Sequence, residues 1–436
     1  MRRQDLRQRW GRSQARHFTV LMALALALPV PSGAAETVHP TVAELPELSA
    51  DDAVLRALRD NPQLRLFRAE RAVAAGQIVS ATALSNPSLA LDALHVQAPD
   101  KLGVEFSLRW TPPQPVEWLA RRSQAQARQA EVNHQVAEQE WAVATEVRIV
   151  HATIIELREQ RRMMDSALQL RQRLLGAVQK RVTRGAATRL EQNLVDLALM
   201  YAQREVDELD VRMQQAQSAL SVLLGVVSPR PIVIAGSPLP GPGSSQLDPE
   251  SLTQKALTAR PVLQAAHERI KGRLAAVRVE QARRYPWLGL RATYRENNLS
   301  NYPHDLQLGL DLLLPVLNTN AGPLQVAQAE LAREQASVLA LVQDIAVRVY
   351  AACAELNLRR SILVRFTKDV LPALQEHERL LGVAVRGAEI DLTALLSGEE
   401  AVLRRRRDHS DARLAYQRAL LTLQATVGVP LSEGQP

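Results

Sequence analysis

The residues able to do chemistry in this 436-residue chain are of two kinds. The first kind could hold a metal or act as a nucleophile. Nine His stand at 17, 39, 95, 134, 151, 267, 304, 377 and 409, and none has the spacing of a ligand pair. Cys353 is the one Cys, which excludes an intramolecular disulfide and a Cys-based zinc site. The sequence has no phosphate-binding Gly-rich loop ending in Lys-Ser/Thr, no G-x-S-x-G turn, no H-E-x-x-H pair and no EF-hand loop. The chain therefore reads as a non-enzyme with no cofactor and no dedicated metal site. The second kind is a set of charges that alternate with apolar residues. Glu105 and Arg109 alternate with Val104, Phe106, Leu108 and Trp110. Arg291 and Arg295 alternate with Leu288, Leu290, Ala292 and Tyr294, and Asp311 sits among Leu306, Leu308, Leu310 and Leu312. A period of two separates charges from leucines on the two faces of a strand. The chemistry these residues offer is electrostatic lining of a wet surface, with no bond made or broken.

The elements that must position these charges are two hairpins, over about 88–113 and 286–316, with strands about ten residues long. That is the length a membrane-spanning β-strand needs. Of the 15 aromatic residues, Phe106, Trp110, Trp118, Tyr285, Trp287, Tyr294 and Tyr302 lie in or beside these regions, where a membrane interface would hold them. Four strands cannot close a barrel, so a membrane reading requires several copies. Two half-buried hairpins in a soluble protein are the competing reading.

Long helices must carry the rest. Apolar residues three and four apart run from Val143 to Val182, broken by Arg161 and Arg171, and again from Val195 to Leu223. A third such run, from Val338 to Val370, meets Pro372, which should kink the helix. These are coiled-coil registers. A helix from about 118 to 183 would be roughly 100 Å long and must pair with its return helix and with neighbouring chains. Gly185 and Gly387, each preceded by Arg (Arg184, Arg386), mark the reversals; Thr188 and Asp391 are the N-caps of the returning helices. Leu190, Leu392 and Leu395 leave apolar side chains near exposed tips.

The chain is written twice. LSADDAVLRALRDNPQL (48–64) matches LDPESLTQKALTARPVL (247–263) at an offset of 199, and further pairs follow in the same order, ending with LLGV (223–226) against TVGV (426–429). The expected division is a signal peptide at 1–35, a first repeat at 36–227, a Pro/Gly-rich connector at 228–246 and a second repeat at 247–436. Residues 1–35 combine six Arg with the apolar run FTVLMALALALPV and a small-residue cleavage pattern. No Cys lies near that site, so no lipid anchor is expected, and no later run of about 18 consecutive apolar residues offers a membrane helix. Most of the net +7 charge sits in this leader; the remainder carries 47 basic and 45 acidic residues. That balance, with an export signal, argues against nucleic-acid binding. The 46% hydrophobic content excludes wholesale disorder, and 3% aromatics suit long helices in thin bundles.

With these features in order, the chain resembles the TolC-type outer-membrane factor family. The resemblance rests on Asn61-Pro62 and its echo Arg260-Pro261, on Asn86-Pro87 and Tyr285-Pro286 before the strands, and on Pro113 and Leu314-Pro315-Val316 after them. Leu371-Pro372 before the second tip and the two Gly-bearing tips complete it. It implies a mainly α fold with a minor β part: duplicated helical hairpins form a long coiled-coil α-barrel, and four strands per protomer join a trimeric twelve-stranded outer-membrane β-barrel. It implies a homotrimer in outer-membrane lipid of a Gram-negative bacterium, exported by the Sec route, with a large periplasmic portion. Its partners would be a periplasmic adaptor (membrane fusion) protein and an inner-membrane RND-type pump. Carried over, the adaptor-facing residues are Arg184, Gly185, Leu190, Arg386, Gly387 and Leu392. In a trimer Glu105, Arg109, Arg291, Arg295 and Asp311 become mixed-charge rings. Some members close the tunnel with Asp rings; the matching places here are Thr393 and Leu396, leaving Glu191 and Asp391 as weaker substitutes. The implied function is the passive exit duct of a tripartite efflux system. The short chain and short strand turns resemble the cobalt–zinc–cadmium branch, with multidrug efflux and type I secretion as alternatives on the same fold. A soluble periplasmic coiled-coil adaptor is the alternative of a different class.

Overall fold

The computed structural model describes residues 47–95, 102–226, 232–237, 247–296, 304–386 and 391–431. The expected signal peptide, most of the connector, Tyr302 and Gly387 lie outside them.

Each repeat opens on a short helix capped as its sequence dictates. Ser49 accepts the amide of Asp52 to start α1 (Ala50–Asp60), and Asp248 accepts those of Glu250 and Ser251 to start α5 (Pro249–Ala259). Both stop two residues before a proline, which starts the next helix: α2 (Pro62–Thr82) and α6 (Pro261–Ala282). Residues 199 apart occupy equivalent core places. Ala53, Ala57 and Leu64 are buried in the first half, as are Leu252, Ala256 and Leu263 in the second.

The strands are β1 (Ser88–His95), β2 (Leu102–Trp110), β3 (Trp287–Glu296) and β4 (His304–Leu313). They form one antiparallel sheet in the order β1-β2-β3-β4. The two hairpins join through β2 and β3, so the repeats share a sheet.

The long helices follow each strand pair. Helix α3 (Pro115–Thr183) has 69 residues and spans roughly 100 Å at 1.5 Å per residue. It returns as α4 (Arg189–Leu223). In the second repeat α7 (Ala321–Arg365) runs through a π turn (Phe366–Val370) into α8 (Leu371–Arg386), and α9 (Leu392–Val427) returns. The break expected at Pro372 is thus a π turn just upstream of it. The widened turn takes up a residue whose ring and missing N–H disrupt α-helical bonding. Helix α3 packs on α4 and on α9, and α9 on α7, giving a layer ordered α4-α3-α9-α7.

The heptad seams are buried as their spacing requires. Val147, Val150, Ile154, Leu157 and Met164 of α3 meet Val206, Leu209 and Leu220 of α4. Ile345, Val349, Leu356 and Leu363 of α7 meet Tyr416, Ala419 and Leu423 of α9. The two seam-breaking arginines bridge the hairpin instead: Arg161 binds Asp210 at 2.7 Å, and Arg171 donates to the Ala198 carbonyl at 3.0 Å. One helical stretch within 321–384 is long and apolar enough to cross a membrane by length and composition, with a mean hydropathy of 1.5. It holds no unbroken run of about 18 apolar residues, the sequence pattern expected of a membrane helix. Its core-facing residues are the α7 seam, and Asp344 and Arg348 form an ion pair on its outer side.

Candidate functional site

The sheet has two chemically opposite faces. Cross-strand register places Glu105 opposite Arg295, Ser107 opposite Thr293 and Arg109 opposite Arg291. Gly289 stands opposite Asp311, and Arg295 opposite Asp305. All five charges singled out in the sequence therefore share one face, and they touch. Arg295 pairs with Glu105 at 2.9 Å. Asp311 on β4 pairs with Arg109 on β2 at 3.3 Å and with Arg291 on β3. That carboxylate resolves a conflict, since two arginines directly opposite one another repel. Three rows emerge along this face. Asp92, Glu105, Arg295 and Asp305 lie across the sheet near the strand-joining loops; Ala90, Ser107, Thr293 and Gln307 form a neutral row; Ser88, Arg109, Arg291 and Gly309 form a basic row toward the helices, with Gly289 and Asp311 beyond it.

The other face is apolar and open. Leu89 and Leu91 of β1, Phe106 and Leu108 of β2, Leu288 and Leu290 of β3 and Leu306, Leu308, Leu310 and Leu312 of β4 are all exposed, Leu308 to 80%. Contiguous apolar surface on this scale marks contact with a membrane or another protein. Phe106, Tyr294 and His304 cluster on this face near the loop end, with the Tyr294 hydroxyl 2.9 Å from His304 Nδ1. At the helix end three tryptophan N–H groups tie strand ends and the start of α3 to neighbouring backbone. Trp110 donates to the Ser85 carbonyl at 2.8 Å, Trp118 to that of Thr82 at 3.0 Å, and Trp287 to that of Pro112. An indole with an apolar body and a hydrogen-bonded N–H suits such a boundary.

The first helix tip is set by its own residues. Gly185 has φ of 69°. The amide of Ala186 donates to the Arg181 carbonyl at 2.8 Å and that of Gly185 to Val182 at 3.0 Å, a Schellman ending. Thr188 and Glu191 form a capping box, with Glu191 accepting the Thr188 amide at 2.6 Å. Arg184 and Leu190 are exposed beside it. At the second tip Asp391 accepts the Thr393 amide at 3.2 Å and caps α9. Leu392 and Leu396 are half-buried and Thr393 is exposed. Arg386 is the last residue of α8. The two carboxylates considered for a gate, Glu191 and Asp391, are thus both engaged as helix caps. Thr188→Ala should destabilise the first tip by about 1 kcal/mol, read as faster amide exchange over the first turn of α4, with the rest of α3 unchanged.

Sequence reasoning missed a polar cluster that joins the two hairpins. Glu156 on α3 is fully buried and accepts from Ser410 at 2.8 Å and from Arg413 at 2.9 Å, both on α9. Gln160, one turn on, donates to Ser410 and Asp411. It fastens the first hairpin to the second. Its sequence signal is weak, because Glu156 lies beside an apolar seam and its partners are more than 250 residues away. Near the connector, His151 Nε2 lies 3.3 Å from the Leu48 carbonyl, and burial pushes its imidazole below the ordinary pKa. Leu48 pairs in parallel with Ile234, so the described part of the connector returns to the start of the first repeat. Among the described residues no group of three or more His, Cys, Asp or Glu is arranged to hold a metal.

No family model matches the chain. It is 24% identical over 232 residues to the cobalt-zinc-cadmium resistance protein CzcC of Cupriavidus metallidurans. That match covers 53% of this chain and 54% of CzcC, so it spans about half the length of the relative. Among solved structures, CusC, described in terms of transmembrane channel formation, superposes with a TM-score of 0.72 at 13% identity, over 92% of this chain and 97% of that one. The Campylobacter jejuni CmeC outer membrane channel superposes with a TM-score of 0.72 at 12% identity, over 89% and 87%. Helical hairpins in duplicate, a four-stranded sheet between them and near-complete superposition agree: the chain has the fold of the TolC-type outer-membrane channels.

Proposed function

We propose that the protein is the outer-membrane exit duct of a tripartite efflux system, a passive conduit rather than an enzyme. The observation that carries this reading is the two-faced sheet, with leucines exposed on one side and paired charges on the other. In a bilayer the leucine face meets lipid and the charged face meets water. A four-stranded sheet leaves β1 and β4 each with an unpaired edge, which lipid does not tolerate. Closure therefore requires β4 of one copy to pair with β1 of the next; three copies give twelve strands.

The helical layer has matching open edges. On α4, Leu190, Leu197, Tyr201, Val211 and Val222 form an exposed apolar stripe. On α7, at the opposite edge, Leu339, Val347, Tyr350 and Leu358 form another. Packing one stripe on the other in a head-to-tail ring buries both, the heterologous closure that makes a cyclic oligomer. The sheet and the helices thus demand the same symmetry. The tunnel below the sheet would end at the tips around Gly185 and Gly387. There Arg184, Leu190, Arg386 and Leu392 are the residues for an adaptor that links the duct to an inner-membrane pump.

The similarity to CzcC makes heavy-metal cations the first substrate class to test. Carrying such ions needs no resident metal site, because the energy comes from the pump and the duct only conducts. A strain lacking the protein should lose tolerance to zinc, cadmium or cobalt while keeping its response to a drug panel. Unchanged metal tolerance with new drug sensitivity would move the substrate to the multidrug class.

A further inference from the structure

Between the two hairpins, away from the sheet and close to the second tip, lies a cavity of about 590 Å³. Its walls come from α3, α8 and α9. It opens below the π turn, where α8 has passed the break before Pro372. Gly398 lets α9 run close to α8, since a Cβ there would stand 2.9 Å from Leu381 Cδ2. Met163, Leu170, Leu381, Leu395 and Val402 make the lining mostly apolar.

The charges in this wall do not cancel. Glu159 pairs with Arg162 at 3.1 Å, and Glu378 with Arg406 at 2.7 Å. That leaves the fifth charged residue, Glu399, half-buried, and among the described residues it has no hydrogen-bond or ion-pair partner. Arg171 acts on it from a distance but already donates to the Ala198 carbonyl across the first hairpin. Burial accordingly holds the Glu399 carboxyl above the usual carboxylate range. An apolar cavity of drug-like size with one carboxylate that lacks a direct partner in its wall is complementary to an apolar body bearing one positive charge.

We propose that this inter-hairpin cavity is a binding site for an aromatic or aliphatic monocation, with Glu399 receiving the ammonium group and the leucines and Met163 receiving the hydrocarbon. Its occupant bridges helices of both repeats. The site does not depend on the substrate assigned to the duct.

The test uses the full chain in detergent and isothermal titration with naphthylmethylamine, alongside its neutral analogue naphthylmethanol. The amine should bind about tenfold more tightly than the alcohol, the gain expected when a charged hydrogen bond is made. Glu399→Gln should bring the amine to the level of the alcohol. Gly382→Trp should abolish binding of both, because a Cβ at Gly382 meets nothing within 4 Å and the new ring can fill the cavity without displacing the fold. Circular dichroism and the elution volume should match the parent protein for both variants. Undiminished amine binding in Glu399→Gln, or binding by Gly382→Trp equal to the parent's, overturns the proposal.

Discussion

Leu308→Arg should abolish assembly in the outer membrane. Leu308 is 80% exposed at the middle of β4, on the face that carries the other leucines. A lipid-facing Arg at the bilayer midplane costs about 2–4 kcal/mol in a transmembrane barrel, and a trimer incurs that cost three times. Such a sum, about 6–12 kcal/mol, is comparable to the whole margin by which proteins are stable. The neighbouring substitution Gln307→Arg serves as the internal control, because Gln307 lies in the neutral row of the opposite, wetted face. The amount of heat-labile oligomer extracted from outer membranes should collapse for the first variant and stay near the parent level for the second. Equal assembly of both would mean that the leucine face does not meet lipid.

The second large effect belongs to Gly225, at the end of α4. Its φ is 65°, and a Cβ would lie 2.5 Å from the Asp60 carbonyl oxygen and 3.0 Å from Pro62 Cδ. Gly225→Ala therefore adds backbone strain to a clash with a chain that cannot easily move, together roughly 2–5 kcal/mol. Two related glycines separate the contributions. Gly428 closes α9 with φ of 82°, and its nearest neighbour is Arg260 Cγ at 3.0 Å, a looser approach than at Gly225. At the first tip Gly185 has φ of 69° and open space around a Cβ. Gly185→Ala should lose only the strain, about 1–2 kcal/mol, and Gly428→Ala should fall between it and Gly225→Ala. Denaturant midpoints should fall furthest for Gly225→Ala; a smaller shift there than at Gly185 would contradict the close approach.

Much of this was legible in the sequence because it is local. Ser49, Thr188, Asp248 and Asp391 cap helices as their residue types suggest, and Gly185 supplies the left-handed turn. Heptad spacing located the seams, and alternation located the strands and sorted their faces. What escaped depends on contacts distant in sequence. The β2–β3 pairing sets Arg109 opposite Arg291, a pair no sequence rule would choose, and it becomes reasonable only once Asp311 arrives from β4. The buried Glu156 needs Ser410 and Arg413 from the other repeat. Position within the family pattern made Glu191 and Asp391 candidates for a gate, and each also holds a helix start by hydrogen bonding.

The central claim concerns which side of the sheet meets lipid, and spin labelling along β4 measures it most directly. Cys353 is buried, and its replacement gives a background for single cysteines at residues 305 to 312. After reconstitution in bilayers, labels at 306, 308, 310 and 312 should be accessible to dissolved oxygen and protected from a water-soluble nickel chelate. Labels at 305, 307, 309 and 311 should show the reverse. A strict alternation with this phase is the signature of one wall of a water-filled barrel; equal nickel access at all eight positions would contradict it.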